Sequence, residues 1–455
     1  RHRCRRSPPD TVESGWGFTL GSNTSNSRRV LTAAALLFAL LTPAAAGAQT
    51  DVRTGVKASG TVKSPLLLAA FRSDHGASPV AQEAHDVARH DFELSGLFNV
   101  TDVEPLTDKL VPNPAATGSV RVEGTIESDG SDFRFKGEVF DLGTAESMFQ
   151  RIYPFHRADA RETLHRFVDD VLEALTGERG ICETKVAFVR ATGRVKEIWV
   201  MDYDGMNPYQ LTHDRTLALS PAWAPWGTEL AFTSYKRGNP DLYLFDLRRG
   251  ASYPFSTSPG PNFAPTYSPD GKWIACALYR DGNSEIYTIS RDAQTARRLT
   301  RNNRIDSGPS FSPNGDQIAF SSDRSGSPQI YVMDSEGVNQ RLLTLEGKYN
   351  DSPRWSPKGD RIAYAARHDG IFDVVVMDSN GQRPIQITSN AGHNENPQWS
   401  ADGRKIYFSS TRAGARQIFM MNADGSDVVQ LTQGDECFNP AAGPRPRRPG
   451  VSRAG

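Results

Sequence analysis

No apolar run in this chain reaches the length of about 20 residues that a bilayer-spanning helix needs; the most apolar stretch, residues 30–41, has about 12. The mature chain is therefore not expected to be an integral membrane protein. Neither charge sign is in excess, with 52 basic residues against 53 acidic ones. That balance leaves no broad basic field to attract nucleic acid. Cysteine is scarce: Cys4, Cys182, Cys276 and Cys437 match neither a zinc-site nor a redox-pair spacing. Catalytic signatures are missing as well. There is no G-x-S-x-G elbow and no HExxH pair. His85 and His90 are five apart and do not share a helical face, and the histidines from His75 to His393 read as surface residues. The Asp-x-Asp-Gly run from Asp202 to Gly205 starts like a calcium loop but lacks the closing Glu, so it reads as a hairpin turn. No catalytic residue, metal ligand or cofactor is expected.

What is present begins with an export signal. Arg28-Arg29, the apolar run and the small residues Ala46-Gly47-Ala48 have its three parts in order, with cleavage expected after Ala48. Residues 28–48 are thus the signal peptide. Residues 1–27, Ser/Arg-rich and without an initiating Met, read as translated upstream sequence. An exported compartment follows, which in a diderm bacterium is the periplasm.

The dominant feature is a repeat. Pro221, Pro265, Pro309, Pro353 and Pro397 are spaced by 44, and an aromatic follows each two residues later: Trp223, Tyr267, Phe311, Trp355 and Trp399. A second register of the same period runs Trp199, Tyr243, Tyr287, Tyr331, Val375 and Phe419. A third runs Thr212, Ser256, Thr300, Thr344, Thr388 and Thr432. Each unit reads as four short strands separated by turns such as Asn314-Gly315 and Glu336-Gly337. A four-stranded unit of this size is a propeller blade. The fold class is an all-β six-bladed β-propeller of 44-residue repeats over 182–440, preceded by a small α/β domain over 49–181. The first copy, at Lys185, lacks its inner strand, so the C-terminus must close the ring near Asn439-Pro440. Ala442 there replaces an aromatic worth roughly 150–250 Å² of burial. With Pro and Arg following it, 441–455 reads as an aberrant tail that pairs poorly. Cys276 falls where other repeats carry Phe232 and Phe320, a buried position. In register, Cys182 and Cys437 lie several residues apart along one ladder, which disfavours a disulfide.

In the smaller domain, SPLLLAAF at 64–71 reads as a buried strand, 80–97 as a helix, and SVRVEGTIE with FRFKGEVFD as a hairpin around Ser128-Asp129-Gly130. A helix at 158–176 carries Leu164, Phe167, Val168, Val171, Leu172 and Leu175 on one face, with Gly177 as its cap.

Within a fixed period, the scaffold demands sameness and function needs difference. The residues before each repeat proline vary and, as blade-to-blade connections, ring the channel mouth. Asn262, Ala264, Asp306, Ser307, Asn350, Asp351, Asn394 and Glu395 are the candidate partner-binding positions.

VMDYDGMNPYQLT, the SPDG units such as 268–271, LSGLFNV and LTGERGICETKVAFV, in the order signal, α/β domain, propeller, resemble the TolB family, the periplasmic propellers of the Tol-Pal system. A family segment between Val111 and Val120 is shortened, and the closing PAWSP is absent. The resemblance implies a binding hub. Its channel face docks the peptidoglycan-associated lipoprotein Pal, and its mature N-terminal arm, here Gln49, Thr50, Asp51, Val52 and Arg53, engages TolA. The complex, with other envelope proteins, maintains the outer membrane during cell division. The competing reading is a periplasmic propeller enzyme, a lyase or peptidase-like protein acting on a sugar or peptide in the channel. Only His393 and Glu395 approach the cluster that it requires.

Overall fold

The structure, a computed structural model, describes residues 63–73, 79–129 and 132–448. The signal at 28–48 with its Ala48 cleavage site, the stretch 1–27, the arm at Gln49–Arg53 and residues 449–455 lie outside the described residues.

The N-terminal sheet is built from β1 (Ser64–Ala69), β2 (Arg72–Ser73), β3 (Phe98–Val103), β4 (Val120–Asp129), β5 (Asp132–Asp141) and β6 (Ser147–His156), in the order β3-β1-β4-β5-β6 with β2 alongside β4. β1 runs parallel to β3 and β4, and β4, β5 and β6 form an antiparallel meander. β6 is a strand that sequence patterning does not foresee, because Pro154 interrupts it. At the sheet edge the missing N–H costs no ladder bond. Helices α1 (Pro79–Ser95) and α2 (Ala160–Thr176) close the core, and all six apolar residues foreseen on one face of α2 are buried. Gly177 ends α2 in the left-handed conformation at φ 77°, its N–H donating to Glu173 O.

Six four-stranded sheets follow, as the period requires. The first is completed by the C-terminal strand Glu436–Ala442, antiparallel to Lys185–Thr192. The tail therefore pairs better than its composition suggests. The ladder runs through Ala442, the Gly443 N–H reaches Lys185 O at 2.7 Å, and Trp223 donates its indole N–H to Ala441 O at 3.0 Å. Beyond the strand, Arg445 Nε donates to Gly180 O and Arg448 pairs with Asp170 and Glu183.

Each sequence register has a physical cause. Residues of the second register sit opposite the inner aromatics, as in Phe232 with Tyr243, Phe320 with Tyr331 and Phe408 with Phe419, and these pairs pack between blades. The threonines of the third register are clamps. Thr300 Oγ1 accepts the Ile286 N–H at 2.9 Å and donates to Glu285 at 2.5 Å; Thr344, Thr388 and Thr432 repeat the pattern on Gln329, Asp373 and Gln417. The repeat prolines sit within a bulge in every inner strand, such as Pro221 in the one between Leu219 and Ala222, where the ladder asks no donor of them.

Cys182, Cys276 and Cys437 are buried free thiols. No helix among the described residues is long and apolar enough to cross a membrane, which says nothing of strands.

Candidate partner-binding face and the domain junction

The meander of each blade sorts its connections onto two faces. The turns after the first and third strands open on one side, and the second-strand turns and blade-to-blade connections on the other. The α/β domain occupies the first side. Lys358 and Arg404 reach Glu178 at 3.2 and 3.1 Å, Lys63 meets Asp427 at 2.9 Å, and the 202–206 turn of the first blade enters the domain core. The opposite side, the channel mouth, carries none of these contacts.

At the mouth, the eight foreseen positions divide. Asn262, Asp306, Asn350 and Asn394 open their strands and are at most 1% exposed, so they do not face a partner. Their amides and carboxylate tie strand to strand. Asn350 Nδ2 donates to Gln329 Oε1 at 2.7 Å, Asn394 Nδ2 to Asp373 Oδ1 at 3.0 Å, and Asn262 Nδ2 to the Ser258 and Gly260 carbonyls at 2.8 Å. Asp306 accepts from Asn302 and Arg324, and burial pushes its carboxyl above the ordinary value. Ala264, Ser307, Asp351 and Glu395 remain partly exposed. Ala264 is held at φ 52°, and its counterparts immediately before the other repeat prolines, from Ser220 to Asn439, lie between 50° and 58°. Asp351 Oδ1 accepts from Ser321 Oγ at 2.6 Å, and Glu395 lies 3.5 Å from the Arg416 guanidinium.

The same face exposes large apolar side chains that sequence reasoning missed: Tyr279, Ile305, Leu345 and Ile371, the third of them 85% exposed. Their signal is legible in retrospect, since apolar residues in connecting loops have no core to enter. Tyr349 and Phe372 add an edge-on aromatic pair at 5.4 Å. His393 Nδ1 takes the Phe372 N–H at 3.4 Å, and Glu395 is turned to Arg416, so the two do not form a catalytic pair.

The second cluster lies at the domain junction and centres on the run first read as a plain turn. Tyr203 is buried and its hydroxyl donates to Asp91 Oδ1 at 2.7 Å. Asp91 Oδ2 meets His165 Nδ1 at 2.6 Å. Arg161 binds Asp202 and Asp204 together. His165 and His85 are thus buried residues, not surface ones. The helical period alone does not reveal this: His85 packs edge-on against the Phe71 ring, and His165 lies edge-on to Tyr203 with its Nδ1 on Asp91. Burial lowers the His165 pKa, but the Asp91 charge and hydrogen bond outweigh it, leaving the imidazole above its usual value. The Tyr203 phenol is pushed well up by burial and by Asp91.

Asp91, His165 and Asp204 offer ligand atoms within 4.8 Å of one another. A cation there would compete with Arg161, which already pairs with Asp202 and Asp204. Cys182 lies in the same core, its thiol pushed well up by burial, which makes it an inert group and not a nucleophile.

A family model described as the TolB beta propeller domain matches residues 172–383 and 350–448. A protein called "Protein TolB homolog" from Chlorobium chlorochromatii is 34% identical over 207 residues, 43% of this chain and 47% of that relative. A "Tol-Pal system protein TolB" from Aromatoleum aromaticum is 33% identical over 239 residues, 50% of this chain and 55% of the other. The chain spans about half the length of the curated relatives it matches. The crystal structure of TolB from Acinetobacter baumannii superposes with a TM-score of 0.75 at 25% identity, covering 84% of this chain and 97% of that one.

Proposed function

Because the chain belongs to the TolB beta propeller family, we propose that it is a non-enzymatic hub of the Tol-Pal system. In this reading it works in the periplasm, binds the lipoprotein Pal at the channel mouth and TolA through residues 49–53, and supports outer-membrane integrity during division. The observation that carries the reading is the asymmetry of the propeller. One face is occupied by the α/β domain, while the other gathers exposed Tyr279, Ile305, Leu345 and Ile371 around the acidic Asp351 and Glu395. Aromatic and aliphatic anchors with a charged rim are the composition of a protein-binding surface. The enzyme alternative is disfavoured, because among the described residues the one Asp-His pair of low exposure, Asp91 with His165, is buried inside the domain junction.

Gel filtration of the exported full chain with the soluble domains of Pal and TolA tests the proposal. Co-elution with both, and loss of TolA alone on deleting residues 49–53, is the expected result. Failure of either domain to co-elute with the undeleted chain overturns it.

A further inference from the structure

The axis of the propeller holds a cavity of about 200 Å³, bordered by the residues before and after the repeat prolines. Most of the border is small and neutral: Ala222, Thr266, Ser310 and Gln398 hold equivalent places in four inner strands. The fifth such place is Arg354, the one charged side chain among the described residues bordering the cavity. Its hydrogen bond goes to the neighbouring Pro353 carbonyl at 2.8 Å, and it has no carboxylate within ion-pair distance among the described residues. Asp351, the acid whose charge acts on it, has Oδ1 already engaged by Ser321 Oγ and the Ser352 N–H. Burial draws the guanidinium pKa down to about 10 against the pull of Asp351, so it keeps its charge at neutral pH.

The flanking Trp223 and Trp399 spend their indole N–H groups on carbonyls of the neighbouring inner strand at 3.0 Å, so the polar chemistry available to the cavity rests on Arg354. A partly buried guanidinium bordering the cavity without a counter-charge is poorly compensated, and a planar fork of donors matches a carboxylate.

We propose that the axial cavity binds a single carboxylate group on Arg354. A free small carboxylate and an acidic side chain threaded in from the mouth share this chemistry. The site stands independently of the partner reading, since the free form needs no partner.

Saturation-transfer NMR on the full chain tests it, with sodium acetate as probe and methyl acetate as its uncharged counterpart. Transfer to acetate and not to methyl acetate is expected, with affinity weakened at least tenfold in Arg354→Gln and partly retained in Arg354→Lys. Displacement of acetate by N-acetyl-aspartate methylamide supports the site and assigns it to peptide side chains. Acetate binding without such displacement supports it for free carboxylates alone. Equal transfer to both probes, or no transfer to acetate in the wild-type chain, overturns the proposal without reference to any variant's folding. Unchanged acetate affinity in a folded Arg354→Gln chain overturns it equally.

Discussion

The Tyr203 hydroxyl, on an outer turn of the first blade, donates to Asp91 Oδ1 of α1 across 2.7 Å, so one buried hydrogen bond joins the propeller to the domain that precedes it. Asp91 passes the connection on to His165 of α2 through its other oxygen. Removing the hydroxyl leaves a buried carboxylate oxygen without a donor. Tyr203→Phe is expected to cost about 1–3 kcal/mol in urea unfolding, with hydrogen exchange accelerated in α1 ahead of the blades. Unchanged exchange in α1 would place the coupling elsewhere.

His165 gives the junction a pH dependence. Its folded-state pKa is raised, with Asp91 and Asp204 favouring the charged form against burial and Arg161. The associated stability is therefore fully present below the ordinary histidine value of about 6.5 and is lost as pH rises through the higher folded value. The difference in unfolding free energy between wild type and His165→Gln should shrink steadily above pH 6.5. A difference that stays constant to pH 9 would mean that the imidazole is neutral in the folded chain.

Ring closure has its own test in Gly205. At φ 90°, a Cβ built there would lie 2.6 Å from Leu431 O of the last blade. The contact recurs at Gly337, Gly381 and Gly425 against the blade before each. Gly205→Ala combines left-handed strain with a backbone clash and is expected to cost about 1–3 kcal/mol. Thermal unfolding that matches wild type would show that the first and last blades do not meet in this way.

The C-terminal segment can be tested at Arg448, whose guanidinium serves Asp170 and Glu183. Burial raises the Glu183 pKa, but Arg448 and Arg179 more than offset it and hold the carboxylate below its usual range. Arg448→Met should lose about 1–2 kcal/mol, discounted for partial exposure. A neutral outcome in denaturant titration would return the segment to the status of an unused tail.

The repeat made the fold legible, since three registers of one period can be satisfied together only by blades of equal length. The site was less so, and the reason is instructive. Asn262, Asp306, Asn350 and Asn394 looked like variable loop residues because each precedes a proline by three positions, yet these four copies in succession all carry Asn or Asp there, with Ala218 and Cys437 in the other two. Constancy within a repeat marks scaffold, and these side chains indeed bond the Thr-clamped layer between strands. The variable neighbours Asp351 and Glu395 keep their exposure. The junction was hidden for another reason: Asp202-Tyr203-Asp204-Gly205 is a turn by local chemistry, and only the packing of α1 and α2 over it turns its polar groups into a buried network.

The central claim, that the channel mouth is the partner-binding face, is tested most directly by calorimetric titration of the soluble domain of Pal into the full chain. The account predicts saturable binding, weakened at least tenfold by Asp351→Lys with Glu395→Lys, and unchanged by Asp316→Lys on the domain-bearing face. Absence of binding to the wild-type chain, or equal affinity in the double charge reversal, would contradict it.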